Sequence, residues 1–270
     1  MSDRQLPPRP VIGVLHPGAM GASLGSALKP AAGVVIWAVA GRGDATAKRA
    51  ELADLVGVPD VAALARRSDV IISICPPHAA RQVAGEVAAA LADRSDRPIY
   101  VDANAVAPAT VVGIGELLGS DNVVDGAVIG PPGWERGQSV LWLAGATAPL
   151  VAGLFAGSPF EARVLDGGLG AASGLKACFA LQSKAMPAIW LAIDAAAREF
   201  GVADALGEQL ARDGVDYPAV VAGIRSRTGS RAWRWVGEMD EAGAALAALD
   251  LPDGFSRAAA RMYERLAAEQ

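Results

Sequence analysis

Histidine and cysteine are almost missing from this 270-residue chain, which holds two of each: His16, His78, Cys75 and Cys178. Cysteines this sparse build no disulfide framework and suggest a reducing compartment. The four residues do not make up a zinc-ligand set, so no metal is expected. A basic surplus is also missing. The net charge of −5 at pH 7 argues against a nucleic-acid partner, which calls for a basic face. Nor is there a long unbroken apolar run. The most apolar stretch, residues 168–200, is interrupted by Lys176, Gln182, Lys184 and Asp194, too polar for a membrane span. The opening MSDRQLPPRP lacks the apolar region of a secretory leader. These absences lead us to expect a soluble, cytoplasmic protein with no membrane or nucleic-acid partner.

What the chain does have is apolar content, at 52% of its residues, enough to bury one large core or two ordinary ones. Up to about residue 166, short β-rich runs alternate with alanine-rich segments. Strands are predicted at Val11–Leu15, Val34–Ala38, Val70–Ile74, Ile99–Val101, Val123–Val124 and Val140–Leu143, with helices such as Ala45–Val56, Val61–Arg67 and Ala79–Leu91 between them. That alternation predicts an α/β fold with a parallel, doubly wound sheet. Gly167-Gly168 marks a break, after which the pattern turns helical. Ala171–Phe200 carries apolar residues on nearly every face, which predicts a long, largely buried helix joining the parts. The expected division is residues 1–166 and 167–270.

The segment VIGVLHPGAMGASLG, residues 11–25, holds two competing motifs. Gly21-Ala22-Ser23-Leu24-Gly25 matches the G-x-S-x-G of a serine hydrolase, but a nucleophile elbow sits directly after its strand. Ser23 falls inside the next helix, and no histidine follows His78 to complete a triad. The alternative is a dinucleotide-binding loop, with His16-Pro17-Gly18-Ala19-Met20-Gly21 in place of G-x-G-x-x-G. Gly18 and Gly21 have the spacing of the second and third glycines, one for close approach of a pyrophosphate, the other for helix–strand packing. Phosphate charge then rests on a helix N-terminus. His16 either caps the turn or adds a hydrogen bond to the cofactor.

At the end of the second predicted strand an NAD site carries an acid for the ribose hydroxyls. This chain reads Val39-Ala40-Gly41-Arg42-Gly43 instead. A guanidinium at Arg42 suits the 2′-phosphate of NADP, so NADP is expected over NAD. Lys48 and Arg49 either reinforce it or form a solvated helix face.

With Gly18-Ala19-Met20-Gly21, Arg42, the strand end Ile72-Ser73-Ile74-Cys75-Pro76-Pro77 and Asp102-Ala103-Asn104-Ala105-Val106-Ala107-Pro108, the chain resembles the β-hydroxyacid dehydrogenase and 6-phosphogluconate dehydrogenase superfamily, whose relatives include imine reductases. The segments HPGAMG, DANAVAPAT, SGLKACFALQSK and AWRWVGEMDEA are similar to a branch with a short helical C-terminal domain of unknown function. The resemblance implies an N-terminal Rossmann domain and an all-α C-terminal domain. It implies that Cys75-Pro76-Pro77 runs past the cofactor ribose and nicotinamide, with Asn104 near the nicotinamide. The family's substrate motif, Asp-x-Pro-Val-Ser-Gly-Gly, corresponds here to Asp125 through Pro131. Ile129 replaces the serine and Pro131 the last glycine around Gly130, so a hydroxyl that grips a carboxylate is gone. The family's catalytic lysine corresponds to Lys176, and the asparagine pair beyond it to Phe179 and Ala180. Helical spacing puts Lys176, Phe179, Ala180 and Ser183 on one face, with Lys184 rotated partly away. The competing reading of Lys176 is an ordinary surface lysine whose stem packs on apolar neighbours.

Arg225, Arg227, Arg231, Trp233, Arg234 and Trp235 form a basic, aromatic cluster, which reads more simply as a solvated face with inward-packing tryptophans. Trp235, Met239 and Ala242 share a helical stripe, and Trp235 or Glu238 is a candidate border of the substrate site. The resulting expectation is an NADP-dependent oxidoreductase acting at a carbonyl/hydroxyl centre, with Lys176 as general acid/base. Two rivals stay open: an imine reductase on the same fold, and a non-catalytic NADP-binding protein. A homodimer through the helical C-terminal part is also expected, as the resemblance implies.

Overall fold

The computed structural model describes residues 4–269. Its first unit ends at Lys176 and its second begins at Ala177. The first unit alternates β1 (Val11–Val14), α1 (Ala19–Leu28), β2 (Val34–Ala38), α2 (Asp44–Leu52), β3 (Val56–Val58), α3 (Val61–Arg67), β4 (Val70–Ser73), α4 (Ala80–Ala90), β5 (Ile99–Asp102), α5 (Pro108–Leu118) and β6 (Val123–Ile129). Then come β7 (Ser139–Ala144), α6 (Ala148–Leu154) and β8 (Phe160–Val164). The strands form one sheet in the order β3-β2-β1-β4-β5-β6-β7-β8. It is parallel from β3 through β6; β7 turns antiparallel to β6, and β8 runs parallel to β7.

Alternation along the strands sends successive side chains to opposite faces, and each face carries its own apolar layer. Ile12, Val14, Val35, Val70, Ile72 and Val101 pack beneath Leu24 and Leu28 of α1 and Val151 of α6. Ile36, Ile71 and Tyr100 pack beneath Leu64 of α3, Val83 and Val87 of α4 and Ile114 of α5. This is the doubly wound α/β layer expected. A Cβ on Gly13 would come 2.5 Å from Leu64 and Ser68, so α3 approaches β1 this closely only because Gly13 is bare.

Three expectations for the first unit need correction. The sheet is mixed, because the β6–β7 connection is a hairpin rather than a crossover. β3 and β8 were not expected; Val56-Gly57-Val58 is too short to carry a periodicity. The helix expected over Ala45–Val56 stops at Leu52, since Asp54 takes a left-handed conformation (φ 54°) and turns the chain into β3.

The second unit is helical: the end of α7 (Ala171–Ala180), a π-helical turn at Leu181–Ala185, then α8 (Met186–Glu199), α9 (Ala203–Arg212), α10 (Tyr217–Thr228), α11 (Ala232–Ala247) and α12 (Gly254–Ala268). The expected single helix over Ala171–Phe200 is therefore interrupted. Pro187 has no N–H to give to the carbonyl four residues back and crowds that turn, and the wider π turn directly precedes it. The segment is also not buried on nearly every face. Ala188, Leu191, Asp194 and Ala197 are inside, while Met186 and Ile189 are 55% and 50% exposed. The core comprises Ala180, Ala188, Leu191, Ile224, Met239, Ala242, Tyr263 and Leu266. Among the described residues no helix is long and apolar enough to cross a membrane.

Candidate active site

In the first unit β1 lies between β2 and β4, so the connections leaving β1 and β4 go to opposite sides of the sheet. A crevice at such a switch point, outside the carboxyl ends of the strands, is where doubly wound sheets take ligands. The loop His16–Gly18 and the start of α1 stand there. The Gly18 N–H donates to the His16 carbonyl (2.8 Å), closing a three-residue turn about Pro17 without the usual first glycine. Nothing lies within 4 Å of where a Gly18 Cβ would be, so that side is open to an approaching group. A Gly21 Cβ would fall 2.1 Å from the His16 carbonyl oxygen, which makes glycine obligatory where α1 leaves the loop. Ala19 and Met20 form the first turn of α1, which begins at Gly18 without a side-chain cap. Its leading N–H groups keep the polarity that suits an anion. Ser23 lies within α1, buried, with its hydroxyl bonded back to the Met20 carbonyl (2.9 Å).

Arg42 follows β2 on a turn set by Gly41 at φ 72°, a conformation that favours glycine. The buried Nε of Arg42 and the buried Nδ1 of His16 both lack a hydrogen-bond partner. Burial, and then the nearby Arg42 charge, pull the His16 pKa down to about 4, so the imidazole is neutral at pH 7. The unpartnered His16 Nδ1, the Arg42 guanidinium with its unpartnered Nε and an uncapped helix start form a polar set that fits a phosphorylated nucleotide. Lys48 instead pairs with Glu51 on the exposed face of α2 (2.9 Å).

The ends of β4 and β5 are tied together beside this loop. The Cys75 N–H donates to Asn104 Oδ1 (2.6 Å), and Asn104 Nδ2 donates to Asp102 (2.8 Å) and Ser73 (3.2 Å). Asn104 is thus at the crevice, but both its amide hydrogens are spent on the chain. What it fixes is the course of Cys75-Pro76-Pro77, the last of which opens a 3-10 turn into α4. Burial, then Asp102, push the Cys75 thiol up to about 12, so it stays protonated.

Lys176 reaches the same edge of the sheet from α7, and its Nζ donates to the Val128 carbonyl of β6 (2.6 Å). Its placement depends on Asp125, which sequence reasoning quoted but gave no role. The buried Asp125 carboxylate accepts the N–H groups of Gly170 and Ser173 (both 3.0 Å) and the Ser173 hydroxyl (2.6 Å). One strand carboxylate thereby holds the first turn of α7. Three residues further along each element, Lys176 meets Val128. Burial raises the Asp125 pKa against the pull of these bonds. A charged side chain inside an otherwise apolar strand was the available signal. Ile129 closes β6, half-buried, and Gly130 follows at φ 129° with Ser139 packed where a Cβ would be. The Ser139 hydroxyl donates to the Pro131 carbonyl.

The other expected substrate residues belong to the helical unit. Phe179 is 43% exposed, whereas Ala180 is buried in that unit's core, so the face they were to share with Lys176 is not uniform. Ser183 bonds to the Phe179 carbonyl (2.8 Å). Trp235 stands edge-on to Tyr263 (5.1 Å, 83°), and Met239 and Ala242 continue its stripe into the core. Lys184 pairs with Glu238 (2.8 Å) near the Trp235 ring, and its carbonyl accepts the Tyr263 hydroxyl (2.6 Å). In the basic cluster, Arg225 turns to the buried Asp194, which also receives Arg198 and the Tyr217 hydroxyl. Burial opposes the Asp194 charge, but these bonds prevail and hold its carboxyl below the usual range.

The architecture is shared widely. A 3-hydroxyisobutyrate dehydrogenase from Mycobacterium tuberculosis superposes over 97% of this chain and 94% of its own, with TM-score 0.71 at 18% identity. The chain has the fold of the 3-hydroxyacid dehydrogenases. A conserved hypothetical protein from Sinorhizobium meliloti shares this hydroxyacid-dehydrogenase fold over 96% of this chain and 88% of its own (TM-score 0.71, 24% identity). A reductive aminase from Aspergillus terreus, solved with NADPH and ethyl levulinate, covers 97% and 94% (TM-score 0.54, 17% identity). Residues 197–266, within the helical unit, match a domain of unknown function, DUF1932. No curated protein matches the sequence.

Proposed function

We propose that this protein is an NADP-dependent oxidoreductase that interconverts a carbonyl and a hydroxyl on a small or medium substrate. The observation that carries this reading is the pair of unpartnered buried atoms, His16 Nδ1 and Arg42 Nε, beside the uncapped start of α1 at the switch point. Gly18 leaves room for the pyrophosphate, Gly21 keeps α1 against the loop, and Arg42 meets the 2′-phosphate. When bound, the nicotinamide supplies or accepts the hydride. Cys75-Pro76-Pro77, held by Asn104, forms the wall past which the ribose and nicotinamide run.

Lys176 is the general acid in the reductive direction. As negative charge grows on the substrate oxygen, an ammonium within reach stabilises it and gives up a proton; in the reverse direction the amine takes the proton back. The Val128 carbonyl holds that ammonium at the strand end meanwhile. Imine reduction is the rival chemistry, and it draws support from the fold shared with a reductive aminase. A protonated imine already carries positive charge, so a second ammonium beside it is less helpful than beside a carbonyl oxygen. A non-catalytic NADP-binding role is the remaining rival. Residues 1–166 and 167–270 are read as cofactor and substrate or dimerisation domains, with Ile129, Gly130 and Pro131 lining the substrate.

Titration with NADPH and NADH tests the reading without turnover. NADPH binds at micromolar or lower concentration and NADH at least about tenfold more weakly. Arg42→Ala erases most of that preference, as expected for a charge-assisted bond of about 1.5–3 kcal/mol. Equal curves with the unaltered protein refute it. NADPH oxidation across aldehydes, ketones, keto acids and cyclic imines then separates the three chemistries.

A further inference from the structure

We infer that Trp134 is a specificity-determining residue of the substrate site, and that the site takes a carbonyl compound bearing an aryl or similarly flat apolar group. The inference rests on the oxidoreductase reading above and names its substrate class. β6 runs parallel to β5, β4 and β1, so the loop that leaves it, residues 130–138, emerges at the carboxyl edge of the sheet. That edge also carries His16 and Cys75, and it is where Lys176 holds the Val128 carbonyl, two residues before the loop begins. Trp134, at the middle of this loop, is 55% exposed.

Two prolines and several hydrogen bonds shape the loop. Pro131 and Pro132 fix two backbone angles, and the Ser139 hydroxyl holds the Pro131 carbonyl. Gly133 lies against the ring of Phe160, where a Cβ would be 2.6 Å away, so the loop is seated on the sheet immediately before Trp134. Gln138 donates to Glu135 (2.6 Å), and Arg136 donates to the Gly157 carbonyl. Arg136 is the only cation in residues 129–139, and it is directed at a backbone oxygen of its own unit. A carboxylate-bearing substrate therefore finds no hydroxyl on this loop, and its one cation, Arg136, is tethered to the Gly157 carbonyl. What this stretch offers at the carboxyl edge is Ile129, Pro131, Pro132 and the Trp134 indole. An exposed indole on a preordered loop supplies a large apolar face at little entropic cost, and it favours stacking against a flat partner.

Equilibrium binding to the full chain saturated with NADP+ tests this, with benzyl alcohol and glycolate as paired probes for the aryl and carboxylate classes. Benzyl alcohol binds at least about tenfold more tightly than glycolate. Trp134→Ala removes about tenfold of the benzyl alcohol affinity, Trp134→Phe keeps most of it, and glycolate binding stays within about twofold in both. Tighter glycolate binding, or an unchanged benzyl alcohol affinity in Trp134→Ala, overturns the inference. NADP+ titration of the same samples separates the two levels. Loss of NADP+ binding in the unaltered chain sinks the oxidoreductase reading and this inference together, whereas normal NADP+ binding with either adverse result sinks only this one. The mass by light scattering stays the same in Trp134→Ala; a drop assigns the indole to contact with a second copy and also overturns it.

Discussion

At Lys176 the Val128 carbonyl fixes where the cation proposed as the acid stands. General acid catalysis contributes about 10²–10⁴-fold, so Lys176→Met lowers kcat at least about a hundredfold while NADPH affinity changes only a few-fold. Lys184→Met costs much less, because Lys184 is paired with Glu238. A Lys176→Met enzyme that keeps more than about a tenth of the original kcat shows that another group is the acid. His16 is neutral at pH 7. Its pKa, drawn down to about 4 by burial and by Arg42, means that the folded state prefers neutral imidazole. The resulting stability is complete above the ordinary value of about 6.5 and is lost as the pH falls through about 4. The His16 Cε1 proton resonance, assigned with a His16→Gln variant, therefore stays constant from about pH 8 to about pH 5.5 in the free protein. A midpoint near about 6.5 contradicts the buried, Arg42-facing geometry.

Elements were legible in the sequence where a local pattern marks them, as in the β-branched run of β1 and the spacing of Gly18 and Gly21. The left-handed Asp54 and the break before Pro187 are local too, but leave no such pattern. The role of Asp125 was not legible, because its partners Gly170 and Ser173 lie 45 and 48 residues away and become neighbours only when α7 folds back onto β6. The reversal of β7 and the short strands β3 and β8 are decided by sheet pairing rather than by their own residues. Asp125 also supplies a test at this scale. Asp125→Ala leaves two buried N–H groups without an acceptor and lowers stability by about 1–3 kcal/mol, while loosening the helix that carries Lys176. Asp125→Asn keeps an acceptor and removes a charge that burial already penalises, so it costs far less. Urea midpoints of the two variants decide the matter, and equal losses would falsify the anchoring role.

For the whole molecule, the first unit could be read further than the helical one. A phosphate site needs glycines, a helix start and a cation, each of which leaves a mark in the sequence. A substrate site needs only shape, which does not. The apolar surface of the helical unit bears on assembly. Phe200, Trp233, Leu249 and Phe255 are 78%, 62%, 71% and 66% exposed, and burying such side chains against a second copy is favourable. The protein is accordingly expected to be at least a dimer through these helices, and light scattering at micromolar concentration returns twice the chain mass or more. A monomer mass excludes it.

The π turn at Leu181–Ala185 has a consequence for kinship. Ala180 and Ala188, eight positions apart, would diverge by about 80° around an uninterrupted α-helix. The wider turn absorbs one extra residue, bringing them to within about 20° and into the same core. Chain length across this stretch is therefore a phase setting. A homologue shorter by one residue here reads as a trivial gap in an alignment, yet its helix is rewired, with every upstream side chain turned by about 100°. Descent among such chains is better traced by counting residues between Ala180 and Ala188 than by comparing their letters.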